Sequence, residues 1–435
     1  MSAGLRFVMV TTFYPPYNFG GDGTYVRRLA HALIARGHTV DIIHDADAYR
    51  VLSGKEPELL PEPPGLTVHR LGSPWPQART PSLLATQQAG FPVLHGRRIQ
   101  RLLDEGDYDV IHYHNISLVG GPGVLGYGDA VKIYTAHEHW LVCPSHILWR
   151  HNKEVCTGRE CLKCVLTNKR PPQLWRQSSL LEKKAKHVDV FCALSQFSAD
   201  KHQEFGFTEP MTVVPSFLPD GDSAGSEDEK DAQPTETTTP YYLFVGRLEK
   251  IKGLQDVIPQ FDDDAPAELW IVGDGDYEPE LRALAEGKTK VRFLGRRPPE
   301  AIPPLYKGAL ALLTPSVCYE VFPLVVLEAF REGTPIIARD LGPYPEIVNS
   351  TQGGLLFDDG PSLKAAIKEI AEDPERRDTM GQAALQAFEQ RWTEKVSLAC
   401  YFDLIKQHGA NKGKARIQRT LSEASDDGFI AAAAG

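Results

Sequence analysis

Along the first half of the chain, short runs rich in β-branched and aromatic residues alternate with amphipathic stretches. Positions 7–12, 40–44, 110–113, 131–135 and 188–193 read as buried strands. Within positions 25–36, Val26, Leu29 and Leu33 fall on one face at spacings of three and four. Gly37 follows at the place where a residue lacking Cβ can take positive φ and close a helix. Such alternation builds a parallel sheet with helices on both faces. The pattern then stops. Positions 219–240 hold no Leu, Ile, Val or aromatic residue, and seven acids face one lysine. A segment of that kind cannot offset its ordering entropy by burial, so a flexible acidic linker is predicted there.

The alternation restarts beyond the linker, with strands predicted at 242–245, 268–272, 291–294, 309–313 and 335–338. Two α/β domains follow, at 1–218 and 241–392. The run 393–408 carries Val396, Tyr401, Leu404 and Ile405 and is expected to pack back on the N-terminal domain. Residues 409–435, polar and ending in four alanines and a glycine, are expected to form a mobile tail whose four basic residues are solvated.

Composition narrows the classes. With 435 residues, 42% apolar and 24% charged, the chain is a globular protein of two to three domains. The net charge of −10 argues against a general nucleic-acid partner. No run approaches the roughly 18 apolar residues of a membrane span. The N-terminal residues lead straight into a strand pattern, without the basic region of a signal peptide. Seven cysteines, an odd number, suit a reducing compartment. The expected location is cytoplasmic, with the inner face of the membrane as a second option.

The richest chemistry lies between Thr314 and Ala329. Glu320 follows a predicted strand, and Glu328 lies eight positions on, inside the apolar run 324–330. Pro323 suits a first helical turn, where its missing N–H costs nothing. The free N–H groups of that helix start, with its dipole, would hold a diphosphate. Glu320 would reach sugar hydroxyls and Glu328 the hydroxyls of a ribose. Earlier, Arg247 and Lys252 follow a strand at a βα turn, where α/β folds bind ligands. Two such cations would neutralise a departing diphosphate. In the first domain, the loop of Gly20, Gly21 and Gly23 opens a helix and lets backbone approach a ligand. A nicotinamide fingerprint competes there, with Asp45 or Asp47 as the ribose acid. Val26 stands where its third glycine belongs, so that fingerprint is incomplete.

The segment around Glu320 and Glu328 resembles the E-x7-E motif of the family-4 retaining glycosyltransferases, which have the GT-B fold: two Rossmann-like domains facing each other across a cleft. Phe244–Gly253 is similar to that family's G-R-L-x-x-x-K-G signature, with Gly246, Arg247 and Lys252 in it. Gly273, Gly275 and Gly295 match internal glycine turns, and 333–338 and 345–348 match closing segments. The likeness spans residues 5–408. It implies transfer of a sugar from a nucleotide-diphosphate donor with retention and without catalytic metal. The donor contacts it implies are Glu320, Arg247, Lys252, Gly246, Gly273, Phe322, Pro323, Leu324 and Glu328. Gly20 and Gly21 match a loop facing the donor phosphates, and His137 a histidine on the donor sugar. His112 and His114 are weaker candidates. Val321, where glycine is common, and Pro343, in place of a second glycine, depart from the pattern and leave the donor sugar open. The acceptor is a glycan, a glycolipid or a small molecule, with polysaccharide biosynthesis the role the likeness suggests. A non-catalytic sugar-nucleotide binder and a nucleotide-dependent oxidoreductase are the alternatives.

Cys143, Cys156, Cys161 and Cys164, spaced C-x12-C-x4-C-x2-C, have the number and spacing of a structural zinc site, with redox pairing and unpaired thiols as the other readings. They stand in the stretch 146–187, which has ten Lys or Arg against three acids and includes Trp149 and Trp175. An anionic or lipid-linked acceptor, or peripheral membrane contact, would fit it, as would a solvated basic face.

Overall fold

The computed structural model describes residues 4–219 and 239–426. The chain forms two compact units, one of Met1–Asn152, Gly158–Ser216 and Glu394–Gly435, the other of Lys153–Thr157 and Phe217–Thr393. The predicted linker falls almost wholly outside the described residues.

In the first unit, seven parallel strands are β1 (Arg6–Thr11), β2 (Thr39–Asp45), β3 (Leu66–Leu71), β4 (Val110–Tyr113), β5 (Val131–Ala136), β6 (Val190–Ala193) and β7 (Met211–Val213). Their spatial order is β3-β2-β1-β4-β5-β6-β7. The order reverses between β1 and β4, so the loops leaving those strands part and open a crevice at their C-terminal ends. Helix Gly21–Ala35 covers one face, and Gly37 at φ +81 ends it, its N–H donating to Ile34 O at 2.9 Å.

The second unit repeats the scheme with β8 (Tyr241–Val245), β9 (Glu268–Val272), β10 (Val291–Gly295), β11 (Leu312–Thr314), β12 (Ile336–Arg339) and β13 (Gly354–Phe357), in the order β10-β9-β8-β11-β12-β13. Two apolar clusters pack its faces, one around Leu243, Trp270 and Phe330, the other around Phe244, Ile271 and Ile367. The switch point here lies between β8 and β11.

The tail expectation is corrected. Helix Glu394–Asn411 runs on into a further helix, Ala415–Asp426, whose Ile417 and Leu421 are buried four residues apart on one face. Lys412 pairs with Asp189 at 2.8 Å, Lys414 with Asp129 at 3.1 Å and Arg416 with Asp109 at 3.4 Å, so three of the four expected solvated cations are tied down. Residues 427–435 lie outside the described residues. Among the described residues, no helix is long and apolar enough to cross a membrane.

Candidate active site

The switch point of the second unit brings together the two segments that carry its charged motifs. The loop after β8 delivers Lys252, and the loop after β11 delivers Glu320, 68 residues away in sequence. Lys252 Nζ donates to Glu320 Oε1 at 2.6 Å, and Ser316 Oγ donates to the same oxygen at 2.8 Å. Burial alone would push the Glu320 carboxyl up, but the charge and hydrogen bond of Lys252, then the Ser316 hydroxyl, hold it below the usual range. Burial likewise pulls against the Lys252 ammonium, and Glu320 more than restores it, so its pKa is raised. Both groups are therefore charged at neutral pH. Glu320 Oε2 has no hydrogen-bond partner among the described residues and remains available to a ligand hydroxyl.

Arg247 differs in setting. It is largely exposed, and its guanidinium donates to Glu249 at 2.6 Å. Its partner there is a partly exposed neighbour, whereas Lys252 is partly buried against Glu320.

Two glycines make this arrangement possible. Gly253, at φ +79, lies so close to the strand-end loop that a Cβ would stand 1.9 Å from Pro315 O. A Cβ on Gly273, at φ +137, would stand 1.8 Å from Gly246 O, so the turn after β9 packs directly on the backbone before Arg247. Helix Leu324–Arg331 starts one residue later than expected, with Pro323 as its N-cap at ψ 102 and not inside its first turn. The N–H groups of Leu324 and Val325 still open the helix without an intrahelical acceptor. Phe322 packs near Trp392, with ring centroids 6.1 Å apart. Glu328, four residues into the helix, accepts from Tyr306 Oη at 2.8 Å. Gly342 and Pro343 form the turn beside Glu320, where Gly342 takes φ +68 and Pro343 caps helix Tyr344–Thr351. Sequence reasoning missed Ser316 and Tyr306.

The first unit's switch point holds the other candidates. Gly20 caps helix Gly21–Ala35 without a side-chain bond, and both Gly20 and Gly21 are exposed. Asn18 locks the loop: its Nδ2 donates to Gly20 O at 2.7 Å and its Oδ1 accepts from Gly20 N at 3.3 Å. Behind the helix start, Asn115 Nδ2 donates to Asp22 Oδ2 at 3.2 Å, and burial raises the Asp22 carboxyl.

His137 leaves the end of β5, and its Nε2 lies 3.0 Å from His114 Nδ1. Its ring packs 4.9 Å from that of Tyr25. Burial lowers the pKa of His137 and of His114, with Asp22 pulling the former back up, so both rings are neutral at pH 7. His114 Nε2 is buried with no hydrogen-bond partner. A buried bare lone pair costs less than a buried bare N–H, which places the proton of His114 on Nδ1, donated to His137 Nε2. Neutral His137 then carries its own proton on Nδ1 and can donate a hydrogen bond. His112 does not join this chain: its ring nitrogens face Tyr401 Oη at 2.9 Å and Thr135 Oγ1 at 2.8 Å.

The other candidates resolve differently. Asp45 caps helix Ala46–Ser53 through Ala48 N, and Asp47 pairs with Arg50 and Arg79 at 3.2 and 3.0 Å. Neither acid is left for a ribose, which removes the support for the nicotinamide reading. Among the described residues, no group of three or more His, Cys, Asp or Glu, the four cysteines Cys143, Cys156, Cys161 and Cys164 included, is placed to hold a metal ion. Cys164 Sγ accepts from His151 N and Asn168 Nδ2, both at 3.4 Å, and donates to Trp149 O at 3.7 Å. Trp149 and Trp175 are buried and do not belong to an exposed basic face.

Comparison with known proteins agrees with this layout. The model for Glycosyltransferase Family 4 matches residues 19–219, and that for Glycosyl transferases group 1 matches residues 225–387. Two Rossmann-like units of this kind are the GT-B fold. The two matches together indicate a group 1 glycosyltransferase on that fold. It is 29% identical over 385 residues to a D-inositol 3-phosphate glycosyltransferase of Corynebacterium jeikeium, covering 84% of this chain and 86% of the relative. A protein of the same description from Pseudarthrobacter chlorophenolicus is 26% identical, over 89% and 91% of the two chains. Among solved structures, sucrose-phosphate synthase of Thermosynechococcus elongatus superposes with a TM-score of 0.68 at 21% identity, over 94% of this chain and all of that one. HepE of Anabaena in complex with UDP gives a TM-score of 0.61 at 18% identity, over 94% and 100%. These likenesses concern the fold.

Proposed function

We propose that the protein transfers a sugar from a nucleoside-diphosphate sugar to an acceptor hydroxyl, with retention at the anomeric carbon and without a catalytic metal. The observation that carries this reading is the fixed Lys252–Glu320 pair beside the N-terminus of helix Leu324–Arg331 at a topological switch point. The bond between anomeric carbon and phosphate oxygen breaks, and the diphosphate gains charge as it leaves. Lys252, Arg247 and the N–H groups of Leu324 and Val325 stabilise that charge. Glu320 Oε2 accepts from sugar hydroxyls. Glu328, shared with Tyr306, accepts from the ribose. Gly246 and Gly273 admit the nucleotide to the backbone. The new carbon–oxygen bond forms to the acceptor on the face the diphosphate leaves, and the acceptor proton departs with the diphosphate or to solvent.

In the first unit, Gly20 and Gly21 open a helix start suited to an anion, and neutral His137 can offer an Nδ1–H to a ligand oxygen. A nucleotide-sugar donor is supported by the solved HepE complexes with UDP and with UDP-glucose, which show what that protein binds. The retaining outcome rests on the family likeness. A screen of labelled nucleotide sugars for slow hydrolysis tests the class, and a donor that binds and is never cleaved would favour a non-catalytic binder. Transfer is expected to persist in EDTA. Activity that vanished at once and returned with Mg²⁺ or Mn²⁺ would overturn the metal-free part.

A further inference from the structure

A cavity of about 340 Å³ lies wholly within the first unit, away from its switch-point loops. That volume is in the range of small-molecule sites. Its walls come from the segment after β5, helices Cys161–Thr167 and Leu180–Ala185, and the turn before β7. Leu141, Val165, Trp175, Leu181 and Phe207 give it an apolar floor. Leu162, at its rim, is 59% exposed, and Leu174, next to the lining residues Gln173 and Trp175, is 57% exposed.

Two arginines line this space. Arg176 stacks between two indoles, 5.4 Å from the Trp140 ring and 4.4 Å from that of Trp175. Three of its five N–H groups donate, to Gln173 Oε1 at 2.6 Å, to Leu141 O at 3.2 Å and to Trp140 O, and two are left for a ligand. Burial pulls its pKa down to about 10, which leaves it a cation at neutral pH. Arg159 reaches Phe205 O and packs over Gly206, where a Cβ would stand 2.5 Å from its terminal nitrogen. Neither arginine forms an ion pair with a carboxylate among the described residues. Glu182 also lines the cavity, one acid against two cations. Arg159 stands exposed and the partly buried Arg176 has no carboxylate in direct contact among the described residues, so an anion delivered into the cavity would gain charge-assisted partners there.

We propose that this cavity binds a single-chain anionic amphiphile, whose phosphate or carboxylate head pairs with Arg159 and Arg176. Its hydrocarbon chain lies on the floor of Leu141, Val165 and Trp175 and leaves past Leu162. The proposal stands apart from the transfer reaction and uses none of its residues.

The test is titration of the whole protein with octyl phosphate below its micellar concentration, followed by calorimetry and by Trp fluorescence. Octanol and inorganic phosphate serve as separate arms. Octyl phosphate is expected to bind at least about tenfold more tightly than octanol, as a charge-assisted hydrogen bond contributes, and inorganic phosphate more weakly than either. Arg159→Gln is expected to abolish the preference over octanol. Gln177→Trp, which fills the exposed mouth, is expected to weaken both amphiphiles. Both positions are exposed, so both variants should melt as the parent does. Equal affinity for octanol and octyl phosphate, full binding by inorganic phosphate alone, or unchanged binding in both variants would overturn the proposal.

Discussion

Lys252 and Glu320 form a fixed, charge-assisted pair of 2.6 Å that leaves one carboxylate oxygen open. Removing the ammonium has two separable effects. Lys252→Ala is expected to lower turnover by about 10² or more, as loss of a transition-state charge contact does. It also releases Glu320 from the interaction that depresses its carboxyl, so the acid limb of the pH–rate profile is expected to move to higher pH. Arg247→Ala is expected to lower turnover by about as much with a smaller movement of that limb, because Arg247 is the least of the groups acting on Glu320. Near-parental turnover in either variant removes that residue from the mechanism.

How much of this was legible beforehand depended on where a residue sits in the sheet. The central strands β1, β2, β4, β5, β8 and β9 announce themselves as apolar runs because both their faces are covered. The strands missed were β3, β7 and β13, and each lies at a sheet edge. In β3, His69 and Arg70 interrupt the run, and His69 is held by Asp41 at 3.1 Å. The helix Ala415–Asp426 was hidden because two buried residues, Ile417 and Leu421, do not stand out among lysines and arginines. In the site, Glu320, Glu328, Arg247 and Lys252 were legible from spacing and family likeness. Ser316 and Tyr306 were not, since a serine or tyrosine gains a role only once distant segments have packed together.

The His114–His137 contact yields a second expectation. If His114 Nδ1–H donates to His137 Nε2, ¹⁵N NMR should find neutral His137 as the Nδ1–H tautomer. His114→Phe removes that donor and should redistribute the proton toward Nε2, with kcat falling more than KM rises. His114→Asn, which retains a donor, should restore part of the loss. A His137 already in the Nε2–H form in the parent would refute the assignment.

Gly253 and Gly273 make a steric prediction. Gly253→Ala forces Cβ into Pro315 O and an alanine into φ +79, so the segment carrying Lys252 must shift. Gly273→Ala pushes against Gly246 O in the same way. Donor affinity is expected to fall about tenfold or more in each, the scale of a displaced catalytic loop, while the sheet beneath stays folded. Unaltered nucleotide binding by calorimetry in both would show that the loop backbone does not set the site.

His44 supports the last expectation, which concerns stability. Its ring is buried beside Tyr14 and Tyr17, with both nitrogens lacking a hydrogen-bond partner, and burial, aided by Arg70 and Arg50, pulls its pKa down to about 3. In the unfolded chain the same ring takes up a proton near pH 6.5. Between those values the unfolded state binds more protons, so this residue costs stability progressively as pH falls below about 6.5. Asp45 acts in the opposite sense. Burial raises its carboxyl to about 7, so it stabilises the folded state as pH falls from there toward its unfolded value. The net slope for the parent protein therefore mixes both, and a comparison isolates His44. His44→Phe keeps the ring and removes the titration. Its stability relative to the parent, from urea midpoints, is expected to rise by about 2 kcal/mol between pH 7 and pH 5, as a group neutral when folded and protonated when unfolded requires. A constant difference across that range would mean that His44 is protonated in the folded protein as readily as in the unfolded chain.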